Sequence, residues 1–316
     1  MIRNLTSVLL VSLLFACQAP AEQASAPIDL SYSSTQPALF ADGGICTSLD
    51  ERDMAISPDH SEIIFTRGSY DQQARVLVSA KNGTMSVLPF SGTHKDIEPF
   101  FSPDGSRLYF VSDRPIYGDS TRKDYNIWYV NRTDGAWSKP VALDSTINTR
   151  KDEFYPSLTR DGKLYFTAIY PGGVGSEDIW VSEPAGEGFG TPAVLDTAIN
   201  GPGYEFNAWV SPEDNMLIFS SYGRPDGLGG GDLYVSHRGE EGNWTPARNL
   251  GPTINSPKLD YCPFLDETHA VFYFSSNRKP PHKDRIETVE ELASISSQSL
   301  NGLGNIYHCA SSVLNP

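Results

Sequence analysis

The chain has 316 residues, and its 39 Asp and Glu against 24 Lys and Arg give a formal net charge of −15. This acidity argues against a nucleic-acid backbone as the partner, because such binding depends on clustered Lys and Arg. The 27 Gly, 23 Pro and 11% aromatic residues are typical of many short strands joined by turns. We therefore predict an all-β protein, and all-β chains of this length often form a single domain.

Residues 1–16 are predicted to be a signal peptide. A short basic start precedes an apolar run over residues 5–16, which is too short to span a bilayer. The run ends at Leu14-Phe15-Ala16-Cys17, which resembles the lipobox of bacterial lipoproteins. That resemblance implies lipidation of Cys17 after cleavage, and Gln18 in place of Asp implies retention at the outer membrane. The alternative is ordinary signal-peptide cleavage beside an incidental cysteine.

Residues 17–34 are rich in Ala, Ser, Gln and Pro and are predicted to be a flexible, lipidated tether. The folded domain is then expected over residues 35–316. Because export leads to an oxidising compartment, disulfides are possible there. Three cysteines remain in the domain, so at most one pair can form. Cys46 and Cys262 are the preferred pair, because both are expected on the same face of the domain, with Cys309 towards the other.

One phrase recurs five times along the domain. In its clearest copy, Phe100-Phe101 begin a strand, Pro103-Asp104-Gly105 form a tight turn, and two further strands follow at 107–112 and 126–130. The aromatic landmark of the second strand recurs at Phe65, Phe110, Phe166, Phe219 and Phe274. The middle copies also end in a fourth apolar element. Four strands in roughly 50 residues are typical of a propeller blade.

The last copy lacks its fourth strand, and the missing piece stands at the other end of the domain. Thr35-Gln-Pro37-Ala-Leu-Phe40 has the pattern of a fourth strand with no other strands before it. We predict that it completes the last blade, because an open ring would leave unpaired strand edges. The prediction is a single propeller of five four-stranded blades. Six blades are the alternative.

The phrase Phe101-Ser-Pro-Asp-Gly-Ser-Arg-Leu-Tyr-Phe-Val-Ser, with Asn126-Ile-Trp downstream, resembles the PD40 (WD40-like) repeat of the TolB family propeller. Similar copies stand at Ile56-Ser-Pro-Asp and Val210-Ser-Pro-Glu-Asp, and the resemblance spans about residues 51–310. It implies a periplasmic or envelope propeller used for binding, without a counterpart of TolB's N-terminal α/β domain. The Trp-Asp dipeptide of WD40 repeats is absent.

An acidic residue opens the inner strand of every copy: Glu51, Asp96, Glu153, Glu205 and Asp260. If the register holds, all five stand near the central channel on one face. Such carboxylates could hold a cation, receive a basic peptide or perform acid/base chemistry, as pairs do in glycoside hydrolases. The alternative is structural, with each acid accepting hydrogen bonds from backbone amides. A catalytic site would be expected to use different residues in different blades.

The remaining signals are weaker. The six histidines show no metal-binding spacing, no nucleophile elbow is present, and no cofactor or metal site is predicted. Residues 279–304 form an insertion in which Thr288 to Ile295 could be a short helix. The insertion could serve as a lid or a partner-docking element on one face. The alternative is a disordered loop. The predicted function is non-enzymatic binding of a protein or peptide partner by a monomer whose membrane contact is the lipid anchor. The alternative is a carbohydrate-binding or glycoside-hydrolysing propeller.

Overall fold

The computed structural model describes residues 28–281 and 285–315 and shows a five-bladed β-propeller. The all-β fold class and the five-blade count are thereby confirmed. The predicted signal peptide, Cys17 and most of the tether lie outside the described residues. Within the described ranges, no helix is long and apolar enough to cross a membrane.

Each blade is an antiparallel sheet, and in blades one to four the innermost strand comes first in the chain. In blade five the outermost strand, β1, comes from the start of the described chain, and the innermost strand comes first among the other three. From inner to outer strand, blade one consists of β2 (Asp50–Ile56), β3 (Glu62–Gly68), β4 (Arg75–Lys81) and β5 (Thr84–Val87), and blade two of β6 (Asp96–Phe101), β7 (Arg107–Ser112), β8 (Asn126–Thr133) and β10 (Val141–Ala142). Blade three consists of β11 (Glu153–Leu158), β12 (Leu164–Ala168), β13 (Asp178–Ser182) and β16 (Ala193–Val194), and blade four of β17 (Tyr204–Val210), β18 (Met216–Tyr222), β19 (Asp232–His237) and β20 (Arg248–Asn249). Blade five consists of β21 (Asp260–Asp266), β22 (Val271–Ser276), β23 (Asn305–Ala310) and β1 (Ala38–Leu39). Short extra strands follow the third strand in blade two, β9 (Ala136–Trp137), and in blade three, β14 (Pro184–Ala185) with β15 (Gly188–Phe189).

The N-terminal strand closes the ring as predicted. β1 pairs antiparallel with β23, with Ala38 opposite His308 and Leu39 opposite Tyr307. The next residue, Phe40, is buried in a cluster that contains residues of blades one and five. Its ring lies 5.0 Å from that of Tyr273 in an edge-to-face arrangement. First and last blades therefore share one core, in addition to the strand pairing.

An asparagine joins the third strand to the fourth in the three middle blades. Asn148 Oδ1 accepts from the Ile127 N–H at 2.9 Å, while its amide donates to the carbonyls of Ile127 and Leu143. Asn200 and Asn255 make the equivalent bonds to the third strands of blades three and four. The Ile-Asn pair that marks the repeat in the sequence thus satisfies backbone groups at the short outer strands.

We call the face where inner strands begin the upper face and the opposite face the lower face. The 279–304 insertion connects β22 to β23 on the upper face, and it contains the predicted helix as α1 (Val289–Ser296). Thr288 caps it by accepting from the Glu291 N–H. After the helix, Asn301 donates to the Ser48 carbonyl at 3.0 Å. The insertion is thus tied to the loop that follows the closing strand.

Candidate functional site

The five acids that open the inner strands are fully buried. Four of them accept a hydrogen bond from the backbone N–H four residues earlier: Thr47 to Glu51 at 3.0 Å, Thr149 to Glu153 at 3.0 Å, Gly201 to Glu205 at 2.7 Å, and Ser256 to Asp260 at 2.5 Å. Asp96 instead accepts from the Ser91 hydroxyl. These acids brace the loops that enter each blade. They are not among the residues that line the two axial cavities described below, and their role as a channel-rim binding site stays a prediction.

Four of these acids also pair with an arginine near the end of the second strand: Arg67 with Glu51, Arg114 with Asp96, Arg224 with Glu205, and Arg278 with Asp260. Each guanidinium lies 5.0–5.3 Å from the ring of its blade's landmark phenylalanine. Glu153 differs from the other four acids. Blade three has Tyr170 near this acid in place of an arginine, and among the described residues Glu153 forms no ion pair. Burial raises the pKa of Glu153 to about 7, against the lowering effect of its hydrogen bonds from Thr149.

The centre of the ring is occupied by a different set of side chains, which we call the axial cluster. Its members stand two positions after each acid: Asp53, Glu98, Tyr155, Asn207 and Cys262. All five are buried and have φ between +37° and +58°. Each inner strand also shifts register at this place, which is the signature of a β-bulge. The backbone is the same in all five blades, while the side chain differs in every one.

The bulge leaves a backbone N–H outside the ladder, and the neighbouring blade satisfies it. The hydroxyls of Thr66 and Ser275 accept from the N–H groups of Glu98 and Asp53, respectively. Blade two has Val111 at the corresponding position and so offers no hydroxyl to Tyr155. Glu98 Oε2 accepts from the Tyr155 N–H instead, at 2.8 Å. One role of Glu98 is therefore to replace this missing hydroxyl.

Arg52 holds the cluster together electrostatically. Its guanidinium donates to Asp53 Oδ2 at 2.7 Å, to Glu98 Oε1 at 2.6 Å and to Cys262 Sγ at 3.3 Å. Asn207 Nδ2 also donates to Glu98 Oε1, at 3.1 Å. Burial raises the pKa of Glu98 to about 7, although Arg52 acts in the opposite direction. Both oxygens of Glu98 accept from N–H groups, Oε1 from Arg52 and Asn207 and Oε2 from Tyr155.

Asp53, Glu98 and Cys262 bring potential metal-ligand atoms within 4.8 Å of one another. The Arg52 guanidinium contacts all three residues and supplies a positive charge there. Burial raises the pKa of the Cys262 thiol well above its usual range, which disfavours the thiolate that metals require. This group of residues does not fit a metal ion.

Above the cluster, the axis opens into a cavity of about 250 Å³ that we call the axial funnel. Glu98 and Asn207 lie at its floor, beside the Arg52 guanidinium. Its walls carry the aromatic side chains Tyr125, Phe154, Phe206 and Tyr261, together with two charged residues, Arg75 and Glu177. The Nε of Arg75 is buried without a hydrogen-bond partner. Burial raises the pKa of Glu177, and the Asp152 charge acts in the same direction.

Below the cluster lies a second cavity, of about 240 Å³, which we call the lower cavity. It is lined by residues further along the inner strands and by their turns, including Phe100, Trp209 and Phe264. Because the axial cluster fills the ring between the two cavities, the propeller axis holds two separate depressions, one on each face.

The predicted Cys46–Cys262 disulfide is not formed. Both residues are free thiols, and so is Cys309. Cys46 packs in the core between blades one and five, where its Sγ contacts the Ile306 carbonyl oxygen at 3.2 Å. Cys262 stands at a bulge, and its thiol faces Asn207 in the axial cluster. The prediction placed both cysteines on the same face, but Cys46 is packed between blades whereas Cys262 lies at the axis.

The axial cluster carries a sequence signal that a search for repeated residues passes over. Aligned on the acid, the five copies read Asp, Glu, Tyr, Asn and Cys two positions later. This column is polar or reactive in every blade and identical in none. Side chains that differ where the backbone repeats are expected at a site, because a ligand does not share the symmetry of the ring.

No family model matches this chain, and no curated protein matches it. Many solved structures are similar. An α-L-arabinofuranosidase from Lactobacillus brevis aligns with a TM-score of 0.51 and 10% identity, covering 84% of this chain and 91% of the other. TolB from Acinetobacter baumannii aligns at 0.47 and 15%, covering 82% of this chain but 54% of that protein. The catalytic domain of a Coprinopsis cinerea α-L-arabinofuranosidase aligns at 0.47 and 13%, over 90% and 100%. At these identities the likeness shows the propeller fold alone.

Proposed function

We propose that this protein is a lipid-anchored cell-envelope propeller that binds an extended segment of a partner protein in the axial funnel. The observation that carries the proposal is the break in symmetry at the axis. Five equivalent bulged positions hold five different side chains, and two of these form the floor of an open cavity. Most ligand sites are concave, largely apolar and equipped with a few placed polar groups, as this funnel is.

The wall chemistry favours a peptide segment. Aromatic side chains from four blades offer flat apolar contacts, and Arg75 and Glu177 place opposite charges at the same mouth. A peptide carries both apolar side chains and charged groups of either sign, so it can match both kinds of wall residue. In addition, the buried Nε of Arg75 lacks a hydrogen-bond acceptor. An acceptor on the ligand, such as a carbonyl or carboxylate oxygen, would satisfy it.

The test is a binding titration with a peptide array drawn from the envelope proteins of the same cell. The variants Arg75→Gln and Glu177→Gln remove one charge each from the funnel. Arg160→Gln and Glu213→Gln are matched controls, because these two residues form an exposed ion pair on the lower face. Binding that weakens only in the funnel variants supports the proposal. Binding that weakens only in the controls, or no binding by any peptide, contradicts it.

The membrane anchor is a separate part of the proposal. It rests on the resemblance of Leu14-Phe15-Ala16-Cys17 to a lipobox. Radiolabelled palmitate should mark the wild-type protein and leave Cys17→Ala unlabelled, with the label in the outer-membrane fraction. An unlabelled wild type would remove the anchor without affecting the funnel.

A carbohydrate ligand is the second candidate. Its basis is that Asp53 and Glu98 bring carboxylate oxygens within 4.8 Å of each other at the axis, beneath aromatic walls, and that the pKa of Glu98 is raised to about 7. Against hydrolysis, Arg52 pairs with both carboxylates. A glycan array and a panel of chromogenic glycosides decide this candidate, and inactivity on both would remove it.

A further inference from the structure

The lower face holds a cluster of three side chains that the sequence does not reveal, because they come from the first and the last blade and are far apart in the chain. His60 lies in the first turn of blade one, whereas Asp266 and His269 lie at the corresponding turn of blade five. Asp266 Oδ1 lies 3.2 Å from His60 Nε2, and Asp266 Oδ2 lies 2.6 Å from His269 Nδ1. The two imidazole rings meet edge to face at 4.8 Å.

We propose that His60, Asp266 and His269 form a binding site for a divalent transition-metal ion, with Zn²⁺ as the best match. One ligand atom from each residue lies within 4.8 Å of the others. In a tetrahedral zinc site these atoms stand roughly 3.4 Å apart, since each lies ~2.0–2.2 Å from the metal. The Asp266 oxygens lie 3.2 Å and 2.6 Å from the two imidazole nitrogens, so these side chains would rotate apart to admit an ion. Two imidazoles and a carboxylate are an established zinc donor set, with a fourth position left for water.

The carboxylate is already fixed for this task. Asp266 is buried, and its Oδ1 accepts from the backbone N–H groups of Thr268 at 3.0 Å and His269 at 3.2 Å. Bonds of this kind hold a metal ligand in place. The two imidazoles are partly exposed, with side-chain exposures of 26% and 34%, so an ion can enter from solvent.

Two departures from the repeat meet at this site. Aligned on the inner-strand acid, Asp266 occupies the position where the other four blades have the hydroxyl residues Ser57, Ser102, Thr159 and Ser211. His60 has φ +55° at a turn position where blades two and three have glycine. A left-handed conformation disfavours a side chain there, so glycine would suit the turn itself better. Both exceptions fall on neighbouring residues across the boundary between blades one and five.

A bound ion would therefore join the first blade to the last. It would close the ring on the lower face at a second place, apart from the pairing of β1 with β23. Because the ligands are assembled only in the folded ring, binding would raise the melting temperature as the metal concentration exceeds the dissociation constant.

The experiment uses the full-length chain in detergent, without a polyhistidine tag and after dialysis against EDTA. Calorimetric titration with ZnCl₂ measures stoichiometry and affinity, and Co²⁺ as a substitute reports tetrahedral geometry through its visible absorption. We compare wild type with His60→Gly and His269→Gln. His94→Gln is the matched control, because His94 is a partly exposed histidine 3.9 Å from an aspartate elsewhere in the ring.

Wild type and His94→Gln should bind one equivalent and melt at a higher temperature with Zn²⁺. His60→Gly and His269→Gln should each weaken binding by more than about tenfold. His60→Gly restores the residue of blades two and three, so its metal-free melting temperature should not fall, which separates lost binding from misfolding. The proposal is overturned if wild type binds no stoichiometric zinc, or if both cluster variants bind as wild type does.

Discussion

Arg52 of blade one donates to Glu98 of blade two at 2.6 Å, inside the ring and with little access to water. The same guanidinium pairs with Asp53 at 2.7 Å. A buried charge that loses its partner is costly, because neither water nor another ion replaces it. Arg52 is the cation that Asp53 and Glu98 share, which makes it a sensitive place to test the axial cluster.

Arg52→Met should lower the free energy of unfolding by about 3–5 kcal/mol, since two buried carboxylates lose their cation. Urea denaturation measures this. Arg160→Met is the control, because that arginine forms an exposed pair with Glu213 and its loss should cost less than about 1 kcal/mol. Equal stabilities for the two variants would show that the axial ion pairs contribute little.

Glu153→Gln should stabilise the protein at neutral and alkaline pH. The folded-state pKa is raised from 4.5 to about 7, so the folded protein holds a proton that the unfolded chain releases between these values. Stability is therefore lost as pH rises from 4.5 through 7, by up to roughly 3 kcal/mol. The glutamine should remove this loss, giving greater stability than wild type at pH 8 and no difference at pH 4.

Glu205→Gln is the matched control for that measurement. Glu205 occupies the same position in blade four but pairs with Arg224 at 3.2 Å. Neutralising it strands a partly buried arginine and should destabilise the protein at pH 8. If both variants responded to pH alike, the missing ion pair of blade three would not explain the raised pKa of Glu153.

Phe40→Ala should destabilise the fold by about 3–5 kcal/mol, although Phe40 lies outside the repeats and follows a strand of two residues. The reason is that Phe40 is 1% exposed and fills the core shared by blades one and five. Thermal or urea unfolding checks this, with the exposed Tyr70→Ala as a control expected to be near neutral. A small effect of Phe40→Ala would contradict closure by the N-terminal strand.

Cys46 and Cys262 should both react with iodoacetamide after denaturation without reductant, and peptide mass spectrometry would find the label on each. In the native protein both should react slowly, because burial raises the pKa of both thiols, that of Cys46 to about 12 and that of Cys262 well above its usual range. A disulfide-linked peptide pair containing Cys46 and Cys262 under non-reducing conditions would contradict the free thiols and support the disulfide predicted from the sequence.

The fold could be predicted because it depends on features that repeat. The landmark phenylalanines, the turns and the orphan strand before Phe40 gave the blade count, and the structure confirms it. The site could not be predicted, because it depends on the β-bulges. In a regular strand, an acid and the residue two positions later share a face, so Glu51 and Asp53 would both face the channel. The bulge separates them and leaves the acid in the wall.

The ion pairs and the histidine cluster show the same limit. Arg67 lies two residues after its landmark phenylalanine, whereas Arg114, Arg224 and Arg278 lie four or five residues after theirs, so no fixed spacing pairs these arginines with the inner-strand acids. His60 and His269 are 209 residues apart and become neighbours only because the ring closes. Spacing in the sequence cannot predict a contact that depends on the number of blades.

The most direct test of the account is site-specific photo-crosslinking in intact cells. A photoreactive amino acid at Tyr204, which is 42% exposed and pairs with Glu177 at the mouth of the axial funnel, should yield one discrete adduct with a partner protein. The same probe at Val141, equally exposed on the outer strand of blade two, should yield none. Arg75→Gln should weaken the Tyr204 adduct. An adduct at Val141 and not at Tyr204 would contradict binding at the funnel.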